Sequence, residues 1–169
     1  ALSFLRDALS EQRQEISGKV VVVGGGNVAI DASRVAHRLH AAQVDMVCLE
    51  AEDEMPASKE EIKEAREEQV AIHCGWGVKE ILCENGKVKG IVCKKCTSVY
   101  DSEHRFAPQY EENETRTIDC DMVIFSIGQA IEYGDLLKGS QVTFGRGNAP
   151  IADSLTYQSA QSDIFVGGD

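Results

Sequence analysis

Basic residues are scarce in this chain. Seventeen Lys and Arg face 28 Asp and Glu, a formal net charge of −11. Binding a nucleic-acid backbone needs a basic patch, so this balance argues against nucleic acid as a ligand. Long apolar runs are missing as well: none approaches the ~20 residues of a bilayer span, which argues against a membrane protein. The opening residues mix Arg6, Asp7 and Glu11 with single apolar side chains, so no signal peptide is visible. Internal repeats and low-complexity tracts are absent. So is any Ser–His–Asp set or activated cysteine, and with it the usual route to nucleophilic catalysis. The six cysteines show only one paired spacing, whereas a structural zinc site needs four ligands. Reduced thiols in a cytoplasmic protein are the expectation.

What is present is an apolar content of 43% over 169 residues, enough for one domain with a real core, residues 1–169. Its 15 glycines cluster near 24–26, 75–77 and 167–168. Leu2, Leu5, Ala8 and Leu9 suit a short amphipathic lead-in helix. Lys19 to Val23 is a β-branched run of the kind buried on both faces in a parallel sheet. From Asn27 to Ala41, Val28, Ala32, Val35, Ala36 and Leu39 form one apolar helix face. A second strand is expected over 44–49. Ser58-Lys59-Glu60-Glu61 reads as a capping box opening a helix to about Gln69, and a third strand follows over 70–74.

The pattern then changes. Segments 78–83 and 87–96 flank Asn85-Gly86, a hairpin turn signal. Residues 98–116 read as a polar loop or ribbon, 118–127 as one strand, 133–137 as a helical patch and 164–166 as a last strand. The expected fold class is α/β: a Rossmann-like parallel sheet with helices and an antiparallel β-hairpin or meander insert, as in FAD/NAD(P)-binding domains.

Gly24-Gly25-Gly26-Asn27-Val28-Ala29 fits G-x-G-x-x-[GA] between an apolar strand and an amphipathic helix, the context that makes the pattern a dinucleotide loop. The first glycine permits the turn. The second admits a pyrophosphate to free backbone N–H groups at the positive end of the helix, and the small Ala29 lets helix and strand approach. The companion feature is an acid at the end of the second strand, about 20 residues on. Glu50 stands there, suited to the ribose hydroxyls and repelling a 2′-phosphate. No Arg or Lys lies between Arg38 and Lys59. NAD(H) is therefore expected over NADP(H). The simpler alternative for Glu50 is a solvated loop acid, since Glu52, Asp53 and Glu54 follow. Gly128 and Gln129, at a strand's carboxyl end, are expected near the nicotinamide.

Several signals stay open. Cys93-Lys94-Lys95-Cys96 is redox-active, half a metal site, or two strand cysteines; no catalytic residue and no metal ligand is assigned. Trp76 either flanks the adenine or packs the sheet edge. Asp31 lies near the cofactor mouth, and the glutamates of 60–68 form a solvated helix face.

Taken together, Val20–Ala36, Met55-Pro56-Ala57, Gly75-Trp76-Gly77-Val78-Lys79-Glu80-Ile81, Arg105-Phe106-Ala107-Pro108-Gln109 and Ser126-Ile127-Gly128-Gln129 resemble the nucleotide domain of FAD-dependent oxidoreductases of the glutamate synthase small-subunit type. That resemblance implies a domain inserted between two halves of an FAD domain. It also implies hydride transfer from NAD(P)H to FAD, with electrons leaving through iron–sulfur clusters in a partner domain or subunit. It makes Asp169, in Gly167-Gly168-Asp169, a flavin-contacting residue, and the chain an excised piece of a longer protein. Where NADPH-using relatives carry an arginine pair, Leu49-Glu50 stands here; Gln69 replaces a common glycine. The alternative outside redox chemistry is a non-catalytic NAD-sensing regulatory module.

Overall fold

A computed structural model describes residues 1–10, 15–128 and 132–167. The chain clusters into two compact units, Ala1–Ile127 and Gly128–Asp169. The first contains all the regular strands: α1 (Leu2–Leu9), β1 (Lys19–Val23), α2 (Asn27–Arg38), β2 (Gln43–Cys48), α3 (Lys59–Glu67), β3 (Ala71–Cys74), β4 (Trp76–Glu84), β5 (Lys87–Tyr100), β6 (Phe106–Asp119) and β7 (Met122–Phe125). A parallel sheet has the order β3-β2-β1-β7 and an antiparallel sheet the order β4-β5-β6. This is the α/β architecture expected from the sequence, with its antiparallel addition.

Alternation along the parallel strands builds two cores. Val20, Val22, Met46 and Cys48 join Ala29, Ile30, Ala32 and Ala36 of α2 and Ile62 and Ala65 of α3 on one face. Val21 and Val47, on the opposite face, pack with Ile91, Cys93, Ile118 and Cys120. The β1 run is apolar throughout because both faces are covered, one by helices and one by the antiparallel sheet.

The hairpin turn is as expected: Asn85 and Gly86 have φ of 50° and 74°, the left-handed pair of a type I′ turn. Residues 98–116 take the ribbon alternative, lying mostly in the long paired arms of β5 and β6. The single strand expected over 118–127 is two strands, β6 and β7, in different sheets. Asp121 makes the break. Its N–H donates to Lys19 O at 2.8 Å, and its carboxylate accepts from Lys19 N at 2.8 Å. It also occupies the space that a Cβ on Gly18 would need, at 2.6 Å.

The capping box is half formed. Ser58 Oγ accepts from Glu61 N at 3.3 Å, but Ser58 N donates to Asn27 Oδ1 at 3.0 Å rather than to Glu61. The glutamate face of α3 is not wholly solvated either. Glu68 binds Arg34 and Arg38 of α2, and Glu64 binds Arg34 at 2.6 Å. Gln69 has φ 63°, which accounts for glycine being common there.

The second unit, described by itself, holds turns and isolated bridges. Residues 134–139 form turns rather than a helix. The expected last strand reduces to single bridges such as Gln158 to Phe165. The Tyr133 and Phe144 rings meet at a tilt of 43°, their centroids 5.4 Å apart.

Candidate functional site

β1 lies between β2 and β7, so the chain leaves it on one side for β2 and returns on the other through β7. Ligands of open α/β sheets bind at the carboxyl ends of strands flanking such a reversal, and the glycine loop occupies that place. Gly24 N donates to Val47 O at 2.9 Å, and Ser126 N donates to Val23 O at 2.7 Å. At Gly24, φ is +142°, and a Cβ would stand 2.3 Å from Ser126 O. Only glycine fits both the backbone and the space.

Gly25 has another constraint. A Cβ there would meet Glu50 Oε2 at 2.7 Å, Cys48 Cβ at 3.1 Å and Pro56 Cδ at 3.3 Å. The Glu50 carboxylate thus lies directly against the glycine loop, unlike a solvated loop acid. Its backbone is held too, with Glu50 O accepting from Gly75 N at 2.8 Å. Gly26 is the N-cap of α2, and nothing lies within 4 Å of the place its Cβ would take. No side chain caps this helix, and its first turn has no acid. The first N–H groups of a helix have no partners within it, so Asn27 and Val28 offer donors to an anion at the open side of Gly26. Ala29 is fully buried, as the small third residue of the motif should be.

The Met55-Pro56-Ala57 segment is a wall of this loop. Ala57 N donates to Gly25 O at 3.1 Å, and Asn27 fixes the next residue through Ser58 N. Asn27 is therefore a positioning residue through its side chain as well as a candidate backbone donor. Gly-Trp-Gly joins the two sheets beside Glu50. Gly75 turns with φ 73°, and a Cβ on Gly77 would lie 2.5 Å from the Tyr110 ring and 2.9 Å from Leu49 Cδ2. Trp76 packs against the second core, with Lys95 Nζ 5.0 Å from its ring centroid.

Three residues missed by sequence reasoning belong to this edge. Ser126 Oγ is buried without a hydrogen-bond partner; its only sequence signal is its place in Ser-Ile-Gly-Gln. Arg66 of α3 pairs with Glu52 at 2.7 Å. Lys95 Nζ reaches to 3.0 Å from the Cβ position of Gly75. Cations thus reach the Glu50 edge from distant segments, although none occurs between 38 and 59. Gly128 has open space at its Cβ position; Gln129 and Asp169 lie outside the described residues. Among the described residues no three His, Cys, Asp or Glu are grouped to hold a metal. Cys93 and Cys96 are both buried free thiols, and burial pushes Cys93 up to about 11. That is the character of a structural cysteine rather than a reactive one.

An open space at Gly26, an acid against Gly25, uncapped helix donors and an orphaned hydroxyl on Ser126 fit a dinucleotide. Comparison with known proteins agrees. The model of the family described as "Pyridine nucleotide-disulphide oxidoreductase" matches residues 2–169. The chain belongs to that family. It is 32% identical over 170 residues to the NADP(+)-dependent formate dehydrogenase subunit beta of Moorella thermoacetica, covering 99% of this chain and 24% of that protein. Against the glutamate synthase [NADPH] small chain of Escherichia coli K12 it is 30% identical over 158 residues, covering 89% and 33%. The chain thus spans about a quarter to a third of these relatives. Among solved structures, T. acidophilum thioredoxin reductase superposes with a TM-score of 0.74 at 20% identity, over 90% of this chain and 44% of that one. This likeness shows the fold. The family membership includes the glutamate synthase small-chain type seen in the sequence motifs.

Proposed function

We propose that this chain binds NADH and presents it to the flavin of an FAD-dependent oxidoreductase. In this reading the chain is inserted between two halves of the parent's FAD domain. Electrons pass on to iron–sulfur clusters of a partner domain or subunit, and the protein is cytoplasmic. When bound, the dinucleotide supplies a hydride from nicotinamide C4. The residues of this chain bind and orient it. Backbone N–H groups from Gly26 to Val28 hold the pyrophosphate, with Gly24 and Ala29 shaping the turn. Glu50 accepts from the ribose hydroxyls, and Gly128 and Gln129 are assigned to the nicotinamide. Asp169 is assigned to the flavin. No side chain here needs to move a proton. Family membership supports this redox reading over a regulatory nucleotide sensor.

The observation that carries NADH is the Glu50 carboxylate, placed 2.7 Å from the Gly25 Cβ position. A 2′-phosphate about 5 Å from that carboxylate, at an effective dielectric of about 20, meets a repulsion of about 3 kcal/mol per unit charge. That corresponds to roughly 100-fold in affinity. Calorimetric titration should show NADH binding at least tenfold tighter than NADPH, with Glu50→Arg reversing the order. Equal affinities, or no change in Glu50→Arg, would overturn the assignment.

Lys95 favours a second reading. Its ammonium lies beside Gly75 and over Trp76, and the printed names of the relatives above carry NADP(+) or NADPH. If Lys95 receives a 2′-phosphate, Lys95→Gln weakens NADPH binding and leaves NADH unaltered.

A further inference from the structure

We propose that Cys48, Cys74 and Met55 form a binding site for a soft monovalent metal ion of the Cu(I) class. Cys48 and Cys74 are register partners at the ends of the neighbouring parallel strands β2 and β3. Each thiol is close enough to alter the acidity of the other. Cys74 Sγ lies 3.6 Å from Met55 Sδ. Cys74, from one segment, thus neighbours a sulfur from each of two others. With metal–sulfur bonds of about 2.3 Å, a trigonal ion spaces its sulfurs by about 4 Å, and the Cys74–Met55 pair is within a few tenths of an ångström of that spacing.

The donor set selects the ion. Two thiolates and a thioether are soft ligands, which favour Cu(I) over cations that prefer oxygen. A tetrahedral zinc site would need a fourth ligand. The Cys48 thiol donates to Glu50 O at 3.8 Å and to His73 O at 4.0 Å, contacts that the metal replaces when it displaces the proton. Cys48 and Met55 are buried at 2% and 8% exposure, while Cys74 is half-buried, so entry is from the Cys74 side. On binding, one Cu(I) enters, two S–H bonds break, two metal–thiolate bonds form and two protons leave to solvent. No electron is transferred. The site becomes more negative by one charge. Arg66 lies close enough to Cys74 to favour its thiolate, but it is paired with Glu52 at 2.7 Å, and Glu52 and Glu50 oppose that charge.

The reduced protein would be titrated anaerobically with Cu(I) against a chromogenic Cu(I) chelator. X-ray absorption would count the sulfur neighbours. One tightly held equivalent with three sulfurs is expected. Cys74→Ser should weaken it at least 100-fold. Met55→Leu, which keeps side-chain volume, should weaken it about tenfold and reduce the count to two sulfurs. Circular dichroism confirms the fold of each variant, and Cys93→Ala, in the other core, should leave binding unchanged. Wild-type affinity retained in Cys74→Ser, or a sulfur count unaltered in Met55→Leu, would overturn the proposal.

Discussion

Gly26→Ala separates the needs of the fold from those of the ligand. Gly26 has φ −92° and ψ 175°, extended values that alanine adopts freely. No atom lies within 4 Å of the new methyl group. Alanine is a poorer N-cap than glycine by some tenths of a kcal/mol. The reduced freedom of the unfolded chain returns about 0.4–1 kcal/mol. The net change should be near zero, so thermal denaturation should shift by less than about 3 °C in a chain of this size. Dinucleotide binding should behave differently. The methyl group enters the space through which a pyrophosphate reaches the N–H groups at the start of α2. Loss of two hydrogen bonds to a charged group, each worth about 1.5–3 kcal/mol, costs at least about 3 kcal/mol. That raises the Kd for NADH by over 100-fold. Gly24→Ala is the contrast, since its Cβ would meet Ser126 O at 2.3 Å with φ +142°. That variant should lose folding itself. The assay is calorimetric titration beside a melting curve on the same samples. A Gly26→Ala protein that binds NADH like the wild type would refute the pyrophosphate assignment. One that loses binding together with many degrees of Tm would assign the glycine to the fold.

Three further outcomes test how the site is held. Asn27→Ala removes the acceptor for Ser58 N, 3.0 Å away, and should cost about 1 kcal/mol by loss of one hydrogen bond, or about 3 °C in Tm. NADH binding should weaken in the same variant, because Met55-Pro56-Ala57 loses its tether; unchanged Tm and Kd would remove Asn27 from that role. Asp121→Ala should lower stability by about 2 kcal/mol, since Lys19 N loses its carboxylate acceptor and Gly18 loses its packing; a chemical-denaturation midpoint equal to the wild type would refute this. The hydrogen bond from Arg38, with Arg34 beside it, holds the Glu68 carboxyl below the usual range. Its folded value is depressed, so its stabilisation is complete above the ordinary glutamate pKa of about 4.3 and lost as pH falls through the lower folded value. Glu68→Gln should therefore melt about 3 °C below wild type near pH 7. The gap should close in strong acid, and one that persists there would sever the link to ionisation.

What the sequence made legible, and what it hid, divides by the range of the forces involved. β1, the glycine loop, α2 and the Asn85-Gly86 turn are decided within a few residues of chain, by β-branching, periodicity and backbone sterics, and all were readable. Glu50 was readable too, because its distance from the loop is set by one helix and one strand. The break at Asp121 was not, since an apolar run over 118–127 looks continuous until Lys19 offers the partner that divides it between two sheets. The glutamates of α3 looked solvated because Arg34 and Arg38 are distant in sequence. An absence of cations between residues 38 and 59 is local, while the field at Glu50 is summed in space, where Arg66 and Lys95 arrive from α3 and β5. Arg66 is already paired with Glu52. The Lys95 ammonium lies 5.0 Å from the Trp76 ring centroid. Cofactor choice at this edge is thus a contest between two residues, Glu50 against the glycine loop and Lys95 across Gly75. Their opposite charges make NADPH affinity rise in Glu50→Arg and fall in Lys95→Gln, while NADH affinity falls only in Glu50→Arg.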